Sequence, residues 1–212
     1  MRQPGRRLAG VTATALAGLM LLPWAGAGAA DYVLVPAGSS LVFTAVQQGA
    51  KFDSRFETFT TEMHFDPARP EAGRITARIA LGSVDTGNPE RDGVLQSTDW
   101  FAASQWPEAV FTAGRIVRDG PGYRADGTLS LRSVSRPVAF RFRWTPASGK
   151  EPARLRGSAA LERLAFGVGQ GEWRDTTYVG NAVDVQVDIR LQEVPVTDNT
   201  VSIINKAANG RK

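Results

Sequence analysis

From residue 183 to residue 191 apolar and polar side chains alternate without a break, with Val183, Val185, Val187, Ile189 and Leu191 on one side and Asp184, Gln186, Asp188 and Arg190 on the other. Successive side chains of a strand point to opposite faces, so this period of two predicts a strand with one buried face. The same period runs through Ile75, Ala77, Ile79 and Leu81, opposed by Arg74, Thr76 and Arg78, and through Val138, Phe140, Phe142 and Trp144, opposed by Arg141 and Arg143. Shorter copies cover residues 41–46, 59–65, 109–113, 127–131 and 155–161, giving about eight strands broken by Asp66-Pro67, Pro70, Asp119-Gly120-Pro121-Gly122 and Ser148-Gly149-Lys150. A row of strands with apolar residues on one face must pack as a sandwich or close on itself. Closure removes the exposed edges, so an all-β antiparallel barrel is the expected fold.

Three segments depart from this period. Residues 88–104 suit a helical insertion over one barrel end, because Pro89 after Asn88 is a good helix start and Ser97 or Thr98 before Asp99 could cap a second short turn. Gly167-Val168-Gly169-Gln170-Gly171 lacks the strand before and helix after that a nucleotide loop needs, and reads as a mobile loop. Residues 195–212 read as a peripheral or disordered tail with one apolar patch at 201–204.

At the other end, Arg2, Arg6 and Arg7 precede an uncharged apolar run from Leu8 to Trp24 that finishes in small residues up to Ala30. That order is a secretory signal peptide over 1–30, with cleavage expected after Ala29 or Ala30 and the periplasm as destination. Its removal takes away three arginines and no acid, so the formal charge falls from +4 to +1. A nearly neutral mature chain argues against a nucleic acid partner. About 180 residues remain, enough for one domain with a sizeable core, residues 31–194. Cysteine is absent, so neither disulfides nor thiolate chemistry enter.

Catalytic groups are sparse. A Ser-His-Asp arrangement has only His64 to draw on, and in Thr61-Glu62-Met63-His64-Phe65 the alternation turns it outward beside inward Met63 and Phe65. A lone histidine without cysteine does not suggest a transition-metal site. No enzymatic activity is therefore expected. The inward residues Phe43, Phe65, Ile79, Phe111, Leu129, Phe140 and Phe142 either fill the barrel or line a space for a ligand, since barrels of about eight strands do both. Small residues on the same faces, Ala77, Ala109, Ala113, Gly157 and Ala159, would leave room. Arg91, between Glu90 and Asp92, is placed to meet a polar headgroup at the mouth, or else serves helix capping and an ion pair that pins the insertion. Trp100 and Phe101 would cover the opening or anchor the insertion to the wall.

The words between the strands carry a resemblance. Phe65-Asp66-Pro67, Ser83-Val84-Asp85-Thr86-Gly87, Arg91-Asp92, Trp100-Phe101 and Trp106-Pro107 with Phe111 come in order, followed by Gly127-Thr128-Leu129-Ser130-Leu131, Arg136-Pro137-Val138, Phe166-Gly167-Val168-Gly169 and Val179-Gly180. Over nearly all of 31–194 this resembles the YceI-like family of periplasmic lipid-binding proteins, departing from it at Ser133 and around Gln47-Gln48-Gly49. The resemblance implies a lipocalin-like barrel whose lumen takes up a polyisoprenoid or similar long-chain lipid. Gly171-Glu172-Trp173 with Thr176-Thr177 resembles a branch paired with membrane b-type cytochromes, which implies an isoprenoid quinone as ligand. The rival expectation is a solid barrel whose loops dock such a cytochrome or another envelope partner.

Overall fold

The computed structural model describes residues 28–195, and the expected signal segment up to residue 27 and the tail from residue 196 lie outside them. The strands are β1 (Ala30–Gln47), β2 (Ala50–Phe56), β3 (Phe59–Phe65), β4 (Arg74–Ala80), β5 (Val84–Asp85), β6 (Glu108–Asp119), β7 (Gly122–Leu131), β8 (Val134–Thr145), β9 (Ala153–Glu162) and β10 (Ala182–Val194). Eight of them close a ring in the order β10-β9-β8-β7-β6-β4-β3-β1, with β1 returning to β10. Every pairing is antiparallel, from Val183↔Leu161 through Arg141↔Ser158 to Phe43↔Val185.

The period of two therefore found the ring but missed β2 and β5, which lie outside it. β2 continues along β1 where β3 leaves off: the N-terminal half of β1 pairs with β3 (Asp31↔His64) and the C-terminal half with β2 (Phe43↔Ser54). The change of neighbour coincides with a bulge in which Pro36, Ala37, Gly38 and Ser39 leave the ladder between Val35 and Ser40. Pro36 has no N–H to offer, Gly38 takes φ +74°, and the Ser39 hydroxyl donates to the Val35 carbonyl (2.6 Å) while accepting from the Arg190 N–H (2.9 Å). At the β1–β2 turn Gln48 and Gly49 both adopt positive φ, as a tight hairpin of this kind demands.

The insertion is shorter than expected. One helix, α1 (Pro89–Gln96), starts where the sequence suggested, with the Asn88 side chain accepting from the Glu90 and Arg91 N–H groups. A second short turn does follow Ser97, whose carbonyl accepts from the Trp100 and Ala102 N–H groups, but the Ser97 hydroxyl does not cap it: it donates back to the Val94 carbonyl, and further turns carry the chain to β6. Asp92 accepts from the Thr86 N–H (2.8 Å), tying α1 to the strand before it. His64 faces outward and meets Asp31, its cross-strand partner, at 2.7 Å, with Met63 and Phe65 buried on either side.

Candidate lipid-binding lumen

The barrel interior divides in two along its axis. At the end opposite α1 five aromatic rings pack edge to face: Phe65 lies 5.0 Å from Tyr123, 5.9 Å from Phe142 and 5.3 Å from Trp144, and Tyr32 stands 4.9 Å from Trp144. Phe65 is fully buried there, with Ile116, Leu155 and Leu191 around it. This end is a solid floor. Phe65 and Phe142, expected in the ligand space, belong to it and do not border the cavity, because the residues facing them across the ring are themselves large.

Above the floor the ring is hollow. A cavity of about 210 Å³ opens between the walls, more than ten times the ~10–15 Å³ that a single water needs. Ile79, Phe111, Leu129 and Phe140 form its walls, and Phe43, Trp100 and Phe101 close it toward α1. Those seven of the ten candidate residues thus surround one space. Thr61 and Arg163 are the polar residues among its lining, so water inside would find few partners.

Small residues make the space, though not all in the way expected. Ala77, Ala109 and Ala159 border the cavity, whereas Ala113 packs into the floor cluster. Gly157 leaves no gap: a Cβ there would collide with the Phe140 ring, which lies against the glycine, and Phe111 lies against Gly127 in the same fashion. Glycine lets each ring lie flat along the wall instead of projecting to the barrel axis. Folding back these two phenylalanines helps keep the lumen open.

Apart from Phe43 on β1, the closing residues come from two loops, the turns after α1 and the segment from Arg163 to Asn181, which supplies Phe166, Val168 and Val179 to the lining. Arginines hold both. The Arg163 side chain is 5% exposed. All of its guanidinium donors go to backbone carbonyls: Nε to Gly180 (2.9 Å), Nη1 to Val168 (3.0 Å) and Gly169 (3.2 Å), Nη2 to Trp173 (2.6 Å) and Val179 (2.7 Å). Burial pulls this guanidinium below its ordinary pKa, and it lies 5.4 Å from the Trp100 ring, where the indole face meets positive charge. Arg132, at φ +55° in the β7–β8 turn, donates to the carbonyls of Trp100 (2.7 Å), Thr98 (3.0 Å) and Gly167, and Arg136 donates to Ala165 (2.6 Å). The Asp99 carbonyl accepts from the Gly169 and Gln170 N–H groups, both at 2.8 Å. The glycine-rich loop read as mobile is thus latched at several points, and Gly169 at φ +77° has to be glycine because a Cβ would run into Arg163.

Among the described residues Arg91 forms no ion pair; its N–H joins the Asn88 cap, and it is Asp92 that pins the helix, through the Thr86 N–H. The Arg91 guanidinium lies 4.7 Å from the Phe52 ring, and it lines a second, smaller-walled chamber of about 220 Å³ beside α1 with Gln47, Asn88, Glu90 and Trp173. Phe52, Leu95, Trp100 and Val179 border both spaces, so the partition between lumen and chamber is a few side chains thick. Phe101 packs on Phe43 (6.3 Å) and Phe56 (5.8 Å), and Trp100 on Trp173 (5.5 Å), which makes both residues anchors as well as covers.

The sequence match decides the family: residues 32–191 match the YceI-like domain. The chain belongs to the YceI-like family. Among curated relatives, a UPF0312 protein of Vibrio parahaemolyticus is 30% identical over 190 residues, covering 86% of this chain and 96% of the relative. Among solved structures, BcnA of Burkholderia cenocepacia superposes with a TM-score of 0.69 at 26% identity, covering 74% of this chain and 98% of BcnA. A polyisoprenoid binding domain from Saccharophagus degradans shares the fold at a TM-score of 0.59 and 15% identity, over 77% of this chain and 98% of that one. The closed eight-stranded ring with one short helix is thus the fold of this YceI-like chain and of its neighbours. Sequence reasoning missed Arg132, Arg163, Val168 and Val179. Three of these four stand in or beside words that carried the resemblance, yet periodicity gives them no sign of facing the lumen.

Proposed function

We propose that this YceI-like protein holds the tail of a long-chain apolar lipid, a polyisoprenoid or an isoprenoid quinone, in the barrel lumen and carries it through the periplasm after export. The apolar cavity above a solid floor carries the reading. Apolar surface removed from water contributes roughly 25 cal/mol per Å², so several isoprene units enclosed by such walls are retained without a charged anchor. A tail in the lumen places the polar end of the lipid at the thin partition, beside the chamber that Arg91, Gln47 and Asn88 line. Support also comes from the fold neighbour described as polyisoprenoid-binding, a description that belongs to that protein. The periplasmic setting rests on the signal segment of the sequence. Binding of this kind requires no bond-making step. The open lumen weighs against a solid barrel that only docks a b-type cytochrome, and no surface feature among the described residues favours that partner.

Native mass spectrometry of protein purified without detergent tests the reading. The expected result is a bound species whose mass fits a prenyl lipid, lost in Ala159→Trp, which plugs the cavity wall while leaving the floor intact. A lipid-free wild type that also fails to take up added long-chain quinone would refute it.

A further inference from the structure

The mature chain is nearly neutral, but folding sorts its charges. Between residues 115 and 156 there are ten Arg and Lys against three Asp and Glu, whereas residues 28–108 hold six basic against eleven acidic. In the ring β8 stands across from β3, so the basic residues gather on one wall, and the acids of β2, β5 and α1 lie on the other.

On the outer face of β7 to β10 arginine sits directly opposite arginine three times: Arg124↔Arg141, Arg143↔Arg156 and Arg154↔Arg190. Asp126, Asp119 and Asp188 offset part of this through ion pairs with Arg124 (2.9 Å), Arg141 (2.9 Å) and Arg154 (2.6 Å), and Asp188 also reaches Arg156 (3.1 Å). Among the described residues Arg143 and Arg190 have no carboxylate partner. Like charges directly opposite across a ladder are destabilising, and nothing in the barrel requires arginine at six neighbouring outward positions. The wall spends stability on a field of positive charge that points to solvent.

We propose that this arginine wall docks the barrel, on its side, against an anionic phospholipid bilayer. Guanidinium groups match phosphate oxygens in paired hydrogen bonds, and a row of them on a gently curved wall meets many headgroups at once. A protein partner is the poorer fit, because a stable protein interface has an apolar centre, and the exposed large apolar side chains among the described residues are Tyr178, outside the patch, and Val33 and Val194, at its rim where β1 begins and β10 ends. Choosing a bilayer also draws on the proposed lipid cargo, which must enter from and leave to a membrane. The acidic side, with Glu57, Asp85, Glu90 and Asp92, is repelled by the same surface, so docking fixes which wall faces the lipid.

Co-sedimentation of the mature protein with vesicles of phosphatidylcholine alone, or containing a third phosphatidylglycerol, tests this. Wild type is expected to bind the anionic vesicles and not the neutral ones, and to release as salt rises past the point where the screening length falls to about 10 Å. Arg143→Gln with Arg156→Gln should lower partitioning on the order of 25-fold, about fivefold for each arginine near an anionic surface. The same double variant should melt close to wild type, since relief of the like-charge pair offsets loss of the exposed Arg156–Asp188 ion pair. Arg55→Gln with Arg78→Gln, on the opposite side, should leave partitioning unchanged. Equal binding to both vesicle types, an unaffected double variant, or retention on an acidic polymer such as heparin with no vesicle binding would each overturn the proposal. Bound lipid mass is read separately, so failure here leaves the lumen reading standing, and an empty lumen leaves a measured vesicle affinity standing.

Discussion

Replacing Arg163 with lysine keeps the charge and removes the fork. Five carbonyls, of Gly180, Val168, Gly169, Trp173 and Val179, now accept from one guanidinium. A lysine ammonium has three donors on a single atom, so at least two charge-assisted bonds are lost even in the best geometry. At about 1.5–3 kcal/mol for each such bond, the loss is on the order of 3–6 kcal/mol. The site is 5% exposed, so water compensates little of it. For a domain of this size each kcal/mol moves the midpoint by about 2–4 °C, so Arg163→Lys should melt on the order of 10 °C or more below wild type. The loss should concentrate in the loop from Leu164 to Asn181, and hydrogen exchange should show the Val168 and Gly169 amides opening before the β-ring. Retained lipid should leave faster from the same variant. If Arg163→Lys unfolds within about 0.5 kcal/mol of wild type, the size of an ordinary surface substitution, the latch argument is wrong.

The division of the interior gives a paired prediction. Phe142→Ala empties a packed site in the floor and should cost about 3–5 kcal/mol in urea unfolding, whereas Phe111→Ala enlarges an existing cavity, should cost less, and should change ligand retention more. Equal costs would mean the lumen is as tightly packed as the floor. Acid should weaken the outer wall. The Arg154 hydrogen bonds hold the Asp188 carboxyl below its ordinary pKa, and Arg156 adds to this. A folded pKa below the unfolded one means the contribution is present above the unfolded carboxylate value of ~3.9 and is lost as pH falls through the folded value. Asp188→Asn should therefore flatten the stability profile below about pH 4 and change its shape little above pH 5, and an unaltered acid limb would show that the pair contributes nothing.

Much of the ring was legible because each strand buries one face, and alternation is the direct record of that. Residues 59–65 were bounded as β3 is, and residues 183–191 fall inside β10. β2 escaped because Ala50-Lys51-Phe52-Asp53-Ser54-Arg55-Phe56 places Ser54 at an inward position between two phenylalanines, and the serine masks the period. Which aromatics line a space and which fill one was not legible. Phe140 and Phe142 are two residues apart on one face, and their fates differ through what stands opposite: Gly157 is the register partner of Phe142, yet it is the Phe140 ring that folds over it. The charge sum likewise hid the arginine wall, since a net value carries no information on where a closed ring brings its residues.

A cap over a hollow lumen faces a problem that a core does not. Side chains above a filled core are held by what lies beneath them, but beneath Trp100, Phe101, Phe166 and Val168 lies a cavity, which under the proposed function is empty in one state and occupied in the other. Apolar packing alone would let the cap settle into the empty lumen, and no rigid entrance would survive between loads. Guanidinium-to-carbonyl bonds from Arg132, Arg136 and Arg163 act on the backbone of both loops and do not depend on what the lumen contains. Arg132 and Arg136 spring from the β7–β8 hairpin, so the strain of holding the cap passes into the ring and not into the ligand space. Beside α1 the same bonds fix the backbones of Trp100, Trp173 and Val179, but the side chains there are held by packing alone: the Arg91 guanidinium lies against the Phe52 ring, and the Trp173 ring rests on Trp100 and Tyr178. If a lipid tail passes into the lumen without breaking the arginine bonds, it passes between the side chains of Phe52, Leu95, Trp100 and Val179, because that partition is thin and apolar and its side chains, unlike the backbone behind them, are held by packing.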